Sequence, residues 1–178
     1  MQKNWYVIYT KPKSEKKVSS LLSKRGIENF CPLNSKPIKH FRKSKLFYEP
    51  LFDRYVFAFI KEADTHQLRN IEYVINLAYW KGTPAIVKNE EITAIKEFIS
   101  NHQNIKIEKI EVNVNMPGTT EIFDNQSYII GEKILKIKTL SFKIILPSLG
   151  FSLTSEVEID TARGINVSFE NREFQFQS

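Results

Sequence analysis

The run Tyr-Glu-Pro-Leu-Phe-Asp-Arg-Tyr-Val-Phe-Ala-Phe-Ile, residues 48–60, constrains this chain more than any other stretch. Tyr55 to Ile60 carry no polar group except one hydroxyl, and Asp53-Arg54 precede them as a turn signal. β-Branched, aromatic and small apolar residues in such a run read as a strand buried on both faces. A buried helix segment gives a similar run, but Lys61-Glu62 close this one after a single strand length. The sequence therefore predicts a central strand over 55–60, with the rest of a domain built around it.

Charge divides the chain. Residues 1–61 hold 14 Lys/Arg and 4 Asp/Glu, a balance of +10, whereas 62–178 hold 12 and 16, a balance of −4. The positive half is suited to phosphates or to an acidic protein surface; a lysine-rich solubilising face explains the charge equally well. No run reaches the roughly 18 apolar residues of a membrane span. Cys31 is the only cysteine, which excludes an internal disulfide and a multi-cysteine metal site. With no leader pattern before the first strand-like segment, the expectation is a cytoplasmic protein that does not contact a membrane.

In chain order, Trp5 to Thr10 reads as a first strand and Pro12 as a helix-opening residue. Ser14 to Arg25 follows as an amphipathic helix on Val18, Leu21 and Leu22, stopped by Gly26. Its other face carries Lys13, Lys16, Lys17 and Lys24. Residues 27–32 form a short strand, in which Cys31 reads as a small apolar residue because no base accompanies it. Lys36, Lys39, His40, Arg42, Lys43 and Lys45 then surround only Ile38 and Phe41, an exposed basic hairpin or loop leading to the central strand. A short helix is predicted over 62–70 and a strand over 74–80. Asn89 is placed as the N-cap of a helix over 90–101, with Glu90 and Glu91 in its first turn and Ile92, Ile95, Phe98 and Ile99 as its apolar stripe. The order β-α-β-β-α-β-α gives an α+β fold, one sheet with helices on a face.

Residues 103–116 lose periodicity and read as a linker between a domain over 1–102 and an all-β module over 117–160. Strand-like runs fall at 119–123, 128–138, 141–146 and 151–159, with turns at Asp124-Asn125, Thr139 and Pro147-Ser148. A small barrel of four or five strands fits that pattern. Residues 161–178 form a tail or one further hairpin.

Taken together, Trp5-Tyr-Val-Ile-Tyr9, the lysine-bearing helix to Gly26, Pro32, Glu49-Pro-Leu-Phe52, Tyr55-Val-Phe57 and Trp80-Lys-Gly-Thr-Pro-Ala-Ile-Val87 resemble the N-terminal domain of NusG-type transcription factors. The specialised paralogues, RfaH-like and UpxY-like antiterminators, are the nearer resemblance. It covers about residues 4–100 and implies an α/β sandwich, an antiparallel sheet flanked by helices, joined to a C-terminal KOW-like β-barrel. Ile130-Gly131-Glu-Lys-Ile134 and Leu149-Gly-Phe-Ser-Leu153 carry the barrel's part of the likeness.

What the resemblance implies is a monomeric factor that binds the clamp helices of the largest RNA polymerase subunit and suppresses pausing or termination at particular operons. Tyr9, Phe52, Phe57 and Ile92 would line an apolar pocket for those helices; partly exposed aromatic residues make good anchors for a partner helix. Ordinary core is the alternative reading of the same four. Thr65 and His66 stand where such proteins touch the gate loop, within a departed motif, Thr65-His-Gln-Leu68. Lys36, Lys39, His40, Arg42 and Lys43 would face non-template or upstream DNA, adding mainly salt-dependent affinity. The barrel would take a ribosomal protein or a termination factor.

Catalysis is not expected. His40, His66 and His102 show no metal-ligand spacing, and there is no phosphate-cradling glycine loop or nucleophile elbow, so neither cofactor nor metal is implied. The competing function is a free-standing RNA- or DNA-binding protein that never docks on polymerase, with Phe30, Phe41 and Phe47 among basic residues as stacking surfaces.

Overall fold

The fold is taken from a computed structural model that describes residues 2–40, 43–80, 82–110, 120–124 and 137–160. Its elements run β1 (Lys3–Thr10), α1 (Glu15–Lys24), β2 (Glu28–Phe30), β3 (Leu33–His40), β4 (Lys43–Pro50), β5 (Tyr55–Lys61), a 3₁₀ helix (Glu62–Asn70) and β6 (Val74–Leu77). After these come β7 (Tyr79–Trp80), β8 (Thr83–Pro84), β9 (Ile86–Val87), α2 (Asn89–Asn101), β10 (Lys106–Lys109), β11 (Thr120–Asp124), β12 (Ile137–Leu146) and β13 (Phe151–Asp160).

The first sheet has the order β2-β5-β1-β6, all antiparallel, with β9 pairing β1 on the same edge as β6. The predicted central strand is internal to it. Val56, Ala58 and Ile60 turn to one face and pack with Val18 and Leu22 of α1 and with Leu68 of the 3₁₀ helix. Phe57 turns to the other face and packs with Trp5, Val7 and the α2 residues Ile92, Ile95 and Phe98. Period-two alternation thus serves two separate cores, which is why the run contains almost no polar side chain.

Local chemistry explains the element ends. α1 stops where Gly26 adopts φ 70°, a left-handed conformation that costs glycine nothing, and Ile27 N–H donates back to Leu22 O at 3.0 Å. α2 is capped differently from the expectation. Lys88, in an extended conformation, is the N-cap, Asn89 is already helical, and the Glu91 carboxylate accepts from Lys88 N–H at 3.2 Å. The predicted strand over 74–80 is broken after Leu77, because Ala78 donates to Val7 O at 2.8 Å before the short β7–β8 hairpin begins.

The C-terminal half also departs from expectation. A second antiparallel sheet has the order β10-β13-β12-β11. Its edge strand β10 lies inside the stretch read as a linker: the alternating charged and β-branched residues of 106–109 pair with β13, Lys106 opposite Thr154 through Lys109 opposite Phe151. Thr139, read as a turn, sits within β12 opposite Glu158. The turn at 147–150 is as expected, with Gly150 N–H donating to Leu146 O at 3.0 Å. Pro117-Gly118, Gly131 and the tail lie outside the described residues.

Buried polar contacts tie the two halves. Asn34, 3% exposed at the base of the β3–β4 hairpin, donates from Nδ2 to Ile105 O at 2.8 Å and accepts from Ile105 N–H at 3.0 Å. Asn104 N–H adds a bond to Ser35 O at 2.8 Å. Replacing Asn34 leaves a buried N–H and a buried carbonyl without partners, a cost of about 1–3 kcal/mol for each group. Asn34→Ala is therefore expected to lower the melting temperature by about 5 °C or more, measured by calorimetry. An unchanged melting temperature would show that water satisfies these groups.

Candidate partner-binding face and basic hairpin

Phe52, Phe57 and Ile92 come together in one apolar cluster with Trp5, Val7, Leu51 and Ile95. Phe52 sits just before β5 and meets Phe57 edge to face, ring centroids 5.6 Å apart and planes at 90°. Tyr9 is outside that cluster. It ends β1, half-buried, with its ring 5.9 Å from that of Tyr55 and its hydroxyl accepting from Arg54 Nη1 at 2.8 Å. Arg54 is held in a left-handed conformation, φ 64°, and its N–H donates to the buried Glu15 carboxylate at 2.8 Å. Glu15 at the start of α1 thereby fixes the turn that presents Tyr9 and Phe52. Sequence reasoning gave Glu15 no role and Arg54 only that of a turn residue, because only the folded turn brings them together.

The expectation that the aromatic residues stay partly exposed is overturned for Phe52 and Phe57, and Ile92 is buried with them. Phe52 is 1%, Phe57 0% and Ile92 2% exposed, in a cluster that the first domain shares with the second sheet. Ile144 and Leu146 of β12 and Leu153 of β13 belong to the same buried cluster. The Phe151 ring stands 5.8 Å from Phe52 and 6.4 Å from Tyr55. Polar contacts frame this apolar seam: Glu91 accepts from Ser148 N–H at 2.8 Å, and Ser155 Oγ donates to Gln103 O at 2.9 Å. His102, at the end of α2, lies between Phe98 at 4.5 Å and Phe142 at 4.6 Å, and burial lowers its pKa. The alternation Phe142, Ile144, Leu146 and Phe151, Leu153 was a readable signal of one buried sheet face. What that face covers was not in the pattern.

Thr65 and His66 stand on the 3₁₀ helix, away from the cluster. Thr65 Oγ1 donates to Glu62 O at 2.7 Å, and His66 Nδ1 lies 2.7 Å from Ala63 O. Both side chains fold onto their own turn rather than reaching outward.

The basic hairpin forms as expected, β3 against β4 with Leu33 opposite Pro50 through His40 opposite Lys43. Lys36 forms an ion pair with Glu49, and Lys16 Nζ of α1 donates to Tyr48 O at 2.6 Å, bracing the hairpin's base against the lysine-bearing helix. Lys39, His40 and Lys43 occupy its distal strand positions, and Arg42 lies outside the described residues. Of the candidate stacking residues, Phe30 is engaged: its ring stacks on Phe57 at 6.1 Å, and Lys96 Nζ lies 5.3 Å over it. Phe41 is outside the described residues. Phe47 is half exposed.

Among the described residues no three His, Cys, Asp or Glu gather as metal ligands, and no helix is long and apolar enough to cross a membrane.

The described residues thus form an antiparallel sheet between two cores, with an apolar cluster shared with a second sheet and a basic hairpin beside it. Residues 3–96 match the family described as transcription termination factor NusG, and with more than half of its length matched the chain belongs to that family of non-enzymatic transcription factors. No curated protein matches the chain. A solved structure described as domain interaction in Thermotoga maritima NusG is similar at 17% identity, with 89% of this chain and 94% of that chain covered and a TM-score of 0.45.

Cys31 follows β2 half-buried, and its thiol is pushed up from 9.0 to about 11 by burial first and by the Glu15 charge second, with Lys16 opposing. The native state therefore holds a proton that the unfolded chain loses between pH 9 and about 11. Stability from this group is complete below pH 9 and is lost as pH rises through that window. Urea midpoints at pH 8 and pH 10.5 are expected to fall further for the wild type than for Cys31→Ala. An equal fall in both proteins would mean that the thiol is not desolvated.

Proposed function

We propose that this chain is a specialised NusG-family elongation factor, RfaH-like or UpxY-like, that docks on the clamp helices of RNA polymerase and suppresses pausing or termination at particular operons. Tyr9, Phe52, Phe57 and Ile92 form the docking face in this reading, and Thr65 and His66 approach the gate loop. Lys36, Lys39, His40, Arg42 and Lys43 face non-template or upstream DNA. The protein acts in the cytoplasm as a monomer and needs no cofactor. The second sheet is the KOW-like module, a candidate surface for a ribosomal protein or a termination factor. Action is mechanical: bridging the two sides of the polymerase cleft holds the enzyme in its elongating form.

The observation that carries this reading is the composition of the covered face. Phe52, Phe57 and Ile92 are contiguous, and their cluster is completed by Ile144, Leu146 and Leu153 of a separate sheet alongside their own domain's Trp5, Val7 and Ile95. A helix pair of similar apolar character is suited to the same groove once the sheet moves aside. The covering also favours a second reading, a free-standing nucleic-acid binder in which the face is simply interdomain core.

Binding of the full chain to a clamp-helix fragment of RNA polymerase separates the two. Phe151→Asp places a charge in the seam and is expected to raise affinity at least about tenfold by uncovering the face. Phe52→Ala added to it is expected to abolish that gain, with circular dichroism confirming that the first sheet stays folded. Absence of binding by both the wild type and Phe151→Asp would contradict polymerase docking and leave the nucleic-acid reading.

A further inference from the structure

The β3–β4 hairpin is not uniformly basic; its register sorts it into two unlike faces. Directly opposed residues of an antiparallel pair share a face, and neighbours along a strand alternate. Lys36 stands opposite Phe47, and Lys45 and Glu49 lie two positions along on either side of it, so the ring shares its face with Lys45 and with the Lys36–Glu49 ion pair. Pro37 opposite Leu46 and Ser35 opposite Tyr48 fall on the other face. Phe47 is 50% exposed, and Lys45 is exposed too. Between Leu33 and Pro50 the sequence holds 5 Lys/Arg against 1 Asp/Glu.

A half-exposed phenyl ring beside an exposed lysine and an ion pair is a poor seat for an apolar protein surface, because docking there strips water from the charges. It suits an unpaired nucleotide well. The base lies on the ring, and a neighbouring phosphate meets Lys45. A duplex keeps its base faces stacked on one another and offers the ring nothing, so charge complementarity and the exposed ring together select single strands. Phe30 is not an alternative, since its ring is stacked on Phe57 and covered by Lys96. We propose that Phe47, with Lys45 beside it on the same face, is a base-stacking site for single-stranded nucleic acid.

This deepens the nucleic-acid part of the proposed function and does not depend on polymerase docking, which the clamp-helix measurement tests separately. The experiment is fluorescence anisotropy of full-length protein with a labelled oligo-dT strand and, in parallel, a labelled duplex of the same length. Phe47→Ala is expected to weaken single-strand binding about tenfold and to leave duplex binding unchanged. Phe47→Trp is expected to keep the single-strand affinity, while Phe47→Leu, apolar but unable to stack, falls with alanine. Tyr48→Ala, on the opposite face, is expected to behave as the wild type. Lys45→Ala reduces the salt dependence of binding to the single strand by about one phosphate contact.

Wild-type affinity in both Phe47→Ala and Phe47→Leu would overturn the proposal. So would an equal loss on strand and duplex, which would mark Phe47 as a structural residue of the hairpin. No binding of either nucleic acid by the wild type would overturn it together with the DNA-facing role of the hairpin, and would leave the clamp-helix reading untouched.

Discussion

The apolar face of the first sheet needs a cover, and the rest of the structure follows from how it gets one. β1 and β5 present Trp5, Val7 and Phe57 on the side away from α1. A single helix, α2, supplies Ile92, Ile95 and Phe98 to that side. The remaining area is closed by Ile144, Leu146 and Leu153 from the second sheet. Fully burying side chains of this size contributes roughly 1.5–3 kcal/mol each, so the interdomain seam is a substantial part of what holds the chain together. The same apolar groups suit a partner helix. In the proposed function, folding and binding therefore compete for one surface.

Polar contacts give that seam its register. Glu91 illustrates this: one carboxylate closes the first turn of α2 and also receives Ser148 N–H from the β12–β13 turn. Asn34 does the equivalent work at the other end, joining the hairpin's base to Ile105 just before β10. Neither contact is a large energy by itself. Each is directional, and each fixes where an apolar contact can form. The hairpin is thus mechanically continuous with the strand that leads into the covering sheet.

Much of the first domain was legible in sequence, for definite reasons. The unbroken apolar run at 55–60 needed two cores, and it has them on either side of β5. Gly26 ended α1 because only a left-handed residue closes that turn. The apolar stripe from Ile92 to Ile99 gave α2, although its cap was misplaced by one residue: Asn89 has the chemistry of a cap, but Lys88 has the extended backbone. What the pattern lacked was long-range pairing. Residues 106–109 carry four exposed side chains and look like linker in isolation; they become a strand through hydrogen bonds to β13. Likewise, the resemblance implied that Phe52, Phe57 and Ile92 lie together, but the sequence held no sign that Phe151 would lie against Phe52. One-dimensional patterns report that a face is buried, not by what.

Solution NMR on the full chain shows whether the second sheet lies over the aromatic face of the first. An aromatic-selective nuclear Overhauser spectrum is the measurement, read for cross-peaks between the rings of Phe151 and Phe52, whose centroids stand 5.8 Å apart. Those cross-peaks are expected, with further ones from Phe142 to His102. Their absence, with Phe52 resonances at the shifts of a solvent-exposed ring, would show that the two sheets do not meet in solution and would contradict that packing.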